Sequence, residues 1–391
     1  MAVTAPWDGA LPSSRETVQS EPAPAFTRSA PAISPYFVSL PVDFLLIGGA
    51  SIALFLILPY FYDGPMTGRM LTLNLWLTWI GNWPHQSATN YRLYSSKRAM
   101  LQYPFTSFAV PLLILLGVVG SFLAPAQVAP VFIKLALFWV LYHYTGQTIG
   151  VSLLYARRAG RAPAPTERLL LVGFLYGTFF SRSLWSETSS QALRYFGVAY
   201  PRFGVPMGWA YAAAAWTYAC AFGFLLVLGS RCWRERRWPP VMYLLPSVTQ
   251  YVWFFVIATH PGYVEFVPFF HGLQYLTIAW AMQLKERADL TGAVVTHRYI
   301  WGETARWYLL NVVGGAALFY VIPRVVAHTT GINEMFARAV MFTAFQLHHS
   351  LVDGVIWKLR SASVVSPLLV NVRELVVRSR ASSAEVHGAL A

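Results

Sequence analysis

Ten apolar runs set the limits on what this chain can become. They cover residues 38–62, 71–94, 104–124, 130–156, 167–186, 208–229, 240–259, 263–284, 307–327 and 336–358. Each is close to the ~20 residues that a helix needs to cross the hydrocarbon of a bilayer. Charged residues make up only 12% of the chain and hydrophobic ones 56%, whereas an ordinary soluble domain is about 25% charged. This composition excludes a soluble enzyme, a disordered protein and a nucleic-acid-binding domain as first readings. The expected fold class is all-α: a polytopic transmembrane helical bundle of about ten helices, integral to the inner or plasma membrane, with the lipid bilayer as its first partner.

The net charge of +13 agrees with that reading. With the amino terminus on the cytoplasmic side, the tails and loops on that side hold 22 of the 29 basic residues, and the opposite side holds seven. Lys and Arg concentrate in cytoplasmic loops of membrane proteins. The alternation has no break, so an even helix count with both termini cytoplasmic is expected. Residues 1–35 are rich in Ala, Pro, Ser and Thr and read as a disordered cytoplasmic tail, without the apolar core of a signal peptide. Residues 36–360 form the transmembrane domain. Residues 361–391 read as a basic cytoplasmic tail with one short amphipathic helix around Leu368–Val377. Cys220 and Cys232 form no CxxC pattern and no disulfide framework.

Nine histidines occur. His297 and His387 fall in a loop and a tail, and His260 and His328 at the outer ends of helices. The other five lie inside apolar runs. Thr78, Asn82, His85, Thr89 and Arg92 are spaced as one helix face. His143 and Gln147 share a face, as do His271 and Gln274, and Thr343, Gln346, His349 and Asp353 form another stripe. His348 stands about 100° around the helix from His349. Gly146 and Gly150 offer a smooth side where another helix can approach. Counted back from the basic residue that ends each run, the five histidines occupy a layer roughly 10–21 Å above the cytoplasmic basic row. Asp43 and Asp353 sit at the cytoplasmic edge of that layer. Ionisable residues at such depth are functional candidates by default.

Imidazole with a carboxylate is a ligand set for non-haem iron, zinc or copper. His85, His143, His271, His348, His349 and Asp353 are the candidate metal ligands. Gln147 and Gln274 are candidate supporting partners, able to accept from a ring N–H and fix its tautomer. Without thiolate ligands, and in an oily setting, iron and oxygen chemistry on a lipid-like apolar substrate is the leading reading.

These same residues, His85, His143, His271, His348-His349 and Asp353, resemble the histidine clusters of integral-membrane di-iron enzymes. That class includes alkane and fatty-acid hydroxylases, desaturases and bacterial carotene-cleaving dioxygenases. The resemblance implies two irons, molecular oxygen and an apolar substrate entering from the bilayer. It covers short motifs on four helices and lies in chemistry rather than pattern. No dinucleotide or P-loop signature is visible, so such an enzyme needs an external electron donor or must be a dioxygenase. Two other readings stay open. His, Asp43 and Asp353 would line a proton or ion path in a transporter or channel, and paired His would be axial ligands in a haem protein.

Overall fold

The computed structural model describes residues 34–357 and 367–376. Ten long helical stretches make up most of the described chain. We label them α1 (Leu40–Tyr60), α2 (68–94), α3 (Phe105–Leu123), α4 (Val128–Arg158), α5 (Pro165–Glu187), α6 (Met207–Glu235), α7 (Val241–Thr259), α8 (Val267–Thr291), α9 (His297–Thr330) and α10 (Glu334–Ile356). Six of them, α1, α3, α4, α6, α7 and α9, are long and apolar enough to cross a membrane. Three of the remaining four carry His85, His271 and His349, and their polar stripes lower their apolar content. The outward faces suit hydrocarbon rather than water: Leu112, Leu113, Leu115 and Leu116 of α3 are all exposed. One small antiparallel hairpin, β1 (Leu193–Tyr195) with β2 (Val198–Tyr200), departs from an all-helical chain. It lies between α5 and α6, and its turn residues Phe196 and Gly197 take the positive φ that two-residue hairpins require.

Local chemistry sets the boundaries. Gly331 ends α9 in the left-handed conformation (φ 69°). Two residues later the Asn333 side chain accepts from the Met335 and Phe336 amides and starts α10. The abrupt reversal seats α9 against α10. In α2, Pro84 has no N–H to offer the turn before it. The helix widens there into a π-turn over Thr78–Asn82, where the Trp83 N–H donates to the Thr78 carbonyl. The Tyr308 hydroxyl on α9 donates to the Ile80 carbonyl (2.6 Å).

The innermost core joins α1, α4, α7 and α8 through Ile47, Tyr155, Met242 and Met282, all essentially inaccessible. The segments beside the two termini complete it. Phe37, Leu368, Val370 and Val372 are buried in the same cluster, and the Val372 N–H donates to the Phe37 carbonyl (2.8 Å). Arg158, at the end of α4, donates to the carbonyls of Ser34, Pro35, Tyr36, Leu368 and Val370 at 2.5–3.2 Å. Asp43 accepts from the Phe37 amide (2.7 Å), the Val38 amide (3.0 Å) and the Tyr155 hydroxyl (2.8 Å). Asp43 thus anchors the chain as it enters α1. Residues 367–376 pack against the bundle instead of trailing as a tail, and residues 372–376 are helical. The other residues assigned to the two tails, with His387, lie outside the described residues.

Basic loops gather at that same end. Arg161 donates to the Arg237 carbonyl (3.0 Å), and Arg92 pairs with Glu286 (3.2 Å). At the opposite end Lys134 pairs with Glu187, and His260 bonds Asp63 (2.7 Å). Both described chain ends therefore share the basic end of the bundle.

Candidate metal centre

Four helices bring four imidazoles to one point. His85 comes from α2, His143 from α4, His271 from α8 and His349 from α10. Their ligating nitrogens all lie within 4.8 Å of one another. The Nε2 atoms of His85 and His349 are 3.0 Å apart, those of His143 and His271 3.0 Å, and those of His143 and His349 3.2 Å. Exposure is 1% for His85, His271 and His349 and 6% for His143, so bulk water does not solvate these nitrogens. Neighbouring rings stand nearly perpendicular, with interplanar angles of 77–88°.

Close approach of α2 and α8 makes the convergence possible. A Cβ built on Gly272 would lie 3.0 Å from the Gly81 carbonyl oxygen and 3.2 Å from His85 Nδ1. Only glycine lets the two backbones approach this far without displacing the ring. The π-turn before His85 then places the Asn82 carbonyl 2.6 Å from His85 Nδ1. A carbonyl can only accept, so His85 Nδ1 carries the hydrogen and, in the neutral ring, Nε2 presents a lone pair.

His349 is fixed through a chain of two residues. Its Nδ1 lies 2.9 Å from Thr89 Oγ1, and Thr89 Oγ1 lies 2.8 Å from Asp353 Oδ1. With Asp353 ionised, the single Thr89 hydrogen goes to the carboxylate and Thr89 accepts from His349 Nδ1–H. The Tyr275 hydroxyl, 2.9 Å away, completes the coordination of Thr89. His349 Nε2 is then a bare lone pair facing that of His85, and neither can donate to the other. The opposite arrangement, with His349 Nε2–H donating to His85, requires a protonated Asp353. A cation among the four nitrogens resolves the contact and favours the ionised carboxylate.

Three of the six nitrogen spacings, at 3.0–3.2 Å, fit such an ion, and the set as a whole spreads to 4.8 Å. Nitrogens held about 2.0–2.1 Å from a central metal stand about 2.9–3.4 Å from their neighbours in tetrahedral or square arrangements. Asp353 Oδ2 faces the same point, 3.6 Å from His349 Nε2 and 3.9 Å from His143 Nε2. Asp353 Oδ1 also accepts from Trp357 Nε1 (3.3 Å). The group has the size of one ion's shell. Two irons would need a second ligand set, and no second group of three or more His, Cys, Asp or Glu converges among the described residues. Four rings converging on one point also leave no open plane for a porphyrin.

Three sequence-based assignments need correction. His348 does not join the cluster. Its ring stacks on Tyr94, whose hydroxyl lies 3.0 Å from His348 Nε2. With His349 aimed at the centre, its neighbour is turned about 100° away. Gln147 and Gln274 do not reach a histidine ring. Gln147 Nε2 donates to the His271 carbonyl (3.2 Å) and to Gln274 Oε1 (3.2 Å), and Gln274 Nε2 donates to the Ile47 carbonyl (2.5 Å). They fasten α4, α8 and α1 together, and so act on His271 through its backbone. Gly146 and Gly150 receive no neighbouring helix, since a Cβ at either would meet nothing within 4 Å. They line a cavity instead. Thr89, Tyr275 and Tyr144, which stacks on His271 at 4.0 Å, are functional neighbours that pattern alone does not single out. Thr89 stands in the polar stripe of α2, and Tyr275 lies one turn after His271.

The cavity, of about 430 Å³, adjoins the centre through His143, Tyr275 and Asp353. That volume is within the range of small-molecule sites. No protein-family model matches this chain, and comparison with curated proteins and with solved structures finds no match.

Proposed function

We propose that this chain is a multi-pass integral-membrane metalloprotein that holds one ion among His85, His143, His271 and His349. The ion we assign is iron, and the activity a non-haem oxidoreductase acting with O2 on an apolar substrate. One observation carries the metal reading: four buried imidazoles from four helices bring their ligating nitrogens within 4.8 Å of one another. A cation held among them would satisfy lone pairs that burial keeps from water.

The choice of a redox metal rests on the surroundings. The cavity beside the centre is mostly apolar, and among the described residues Asp353 is the one carboxylate that lines it. An apolar molecule offers C–H and C=C bonds and no polarised bond for hydrolysis. Iron would supply the electrons that O2 needs to react with such bonds. Dioxygenation places both oxygen atoms in the substrate and balances without outside electrons. Hydroxylation places one atom in product and one in water, and takes two electrons and two protons from an external donor. The chain's own residues exclude bulk water, align the rings through Asn82 and Thr89, and hold a carboxylate next to the reacting volume.

Metal analysis of protein purified in detergent, with optical and electron paramagnetic resonance spectra, tests this reading. One iron per chain without a Soret band is the expected result. A stoichiometric zinc would keep the site and remove the oxidase assignment. Protein that never contains metal would remove both and favour a proton or ion path through the same histidines.

A further inference from the structure

The cavity beside the four histidines follows one long helix face. On α4 it runs from Trp139 to Leu154 along residues three or four apart, one continuous helix face. Fifteen residues at helical rise span about 22 Å. The cavity of about 430 Å³ lies along that face, and we treat it as a channel. His143 does not stand at its end. It lies four residues from Trp139 and eleven from Leu154, or about 6 Å from one limit and about 17 Å from the other.

Glycines form the lips. Gly146 on α4 and Gly354 on α10 are both exposed, and a Cβ on either would meet nothing within 4 Å. Gly150 continues the same open strip. Side chains here would fill the slot, and none is present. Leu368, held by the Arg158 clasp, lines the channel from the terminal segment. Among the described residues no Lys or Arg lines it, and the one acidic residue there is Asp353 at the metal centre. None of these lining side chains offers a cation to an acidic head group.

We propose that this channel takes a neutral, unbranched hydrocarbon chain, admitted sideways from the bilayer between Gly146 and Gly354. The chain lies past the centre, so that an in-chain carbon and not its end stands beside His143 and Asp353. Gly146, Gly150 and Gly354 set the specificity by leaving room for a slender chain. The inference rests on the metal-centre reading for its chemistry, but not for its binding.

Photolabelling separates the two. The probe is a neutral linear hydrocarbon with a diazirine at mid-chain, added to the full-length protein in nanodiscs and mapped by peptide mass spectrometry. The expected labels fall on α4 and α10 near His143 and Gly354. They should drop several-fold in Gly146→Leu and Gly354→Leu while metal content stays at the wild-type level. A second probe with the diazirine at the chain end should label near Trp139 or Leu154 instead. Labels confined to outward faces such as Leu112–Leu116, or undiminished in both leucine variants, would overturn the channel. Labelling of a protein that carries no metal would leave the channel standing and remove the metal reading. A metal-loaded protein without channel labels would do the reverse.

Discussion

His85 and His349 stand 264 positions apart in the chain, yet their Nε2 atoms are 3.0 Å apart at the centre of the bundle. Each ring is steered from behind by a different kind of partner, a backbone carbonyl for His85 and a threonine hydroxyl for His349.

His349→Ala should empty the site, whereas His348→Ala should leave it full. The two residues are neighbours in sequence, but only His349 faces the other three imidazoles. Inductively coupled plasma mass spectrometry of both variants checks this. Equal metal loss in the two would mean that the site fails through helix disruption and not through a lost ligand.

Thr89→Val keeps the shape of the side chain and removes the hydroxyl between His349 and Asp353. Metal affinity should fall on the order of 10–100-fold, as for other residues that orient a ligand. Thr89→Ser should restore it. Competition with a chelator measures the change, and a valine variant that binds as tightly as wild type would contradict the assigned chain.

Gly272→Val should destabilise the protein by about 1–3 kcal/mol, the usual range for overpacking. The added carbons would collide with the Gly81 carbonyl and the His85 ring. Thermal unfolding in detergent should show a lower midpoint, accompanied by reduced metal content.

Arg158→Ala removes the donor shared by five carbonyls, of which those of Leu368 and Val370 are buried and the others partly so. A loss of about 2–6 kcal/mol is expected, since each buried unsatisfied group costs about 1–3 kcal/mol. Lysine should not rescue it, because an ammonium cannot reproduce the planar fork of donors. Denaturant titration of the three proteins decides.

Reporter fusions after Ala391 and within the Arg231–Arg237 loop should both read cytoplasmic. The 22-to-7 bias of basic residues motivates this, with ten spans and both termini on one side. Opposite readings for the two positions would break the ten-span arrangement.

Much of the centre is legible in the sequence because helical spacing and depth are local properties. His85, His143, His271 and His349 can be put in one layer by counting residues from the basic ends. Which of His348 and His349 turns inward depends on how α10 is rotated against α2, and no local pattern encodes that. Gln147 and Gln274 share faces with their histidines, but helix packing sends their amides to backbone carbonyls instead. Gly146 and Gly150 read equally well as a helix contact or as a gap, because a missing side chain serves both. Tyr275 resembles the many packing aromatics until its hydroxyl is seen beside Thr89. The helices coincide with the apolar runs, but four of the ten fall short of clear spanning character because the polar groups dilute them.

The Arg158 clasp also bears on the order in which the molecule can be built. Ser34, Pro35 and Tyr36 leave the ribosome long before Leu368 and Val370, and one guanidinium holds them all. His349 and Asp353 likewise arrive only with α10. Between the synthesis of His271 and that of α10, a nascent chain therefore carries three of the four imidazoles and an unfilled arginine. Maturation waits for α10 and the segment after it, and a product truncated before α10 would lack both the fourth imidazole and the closing segment.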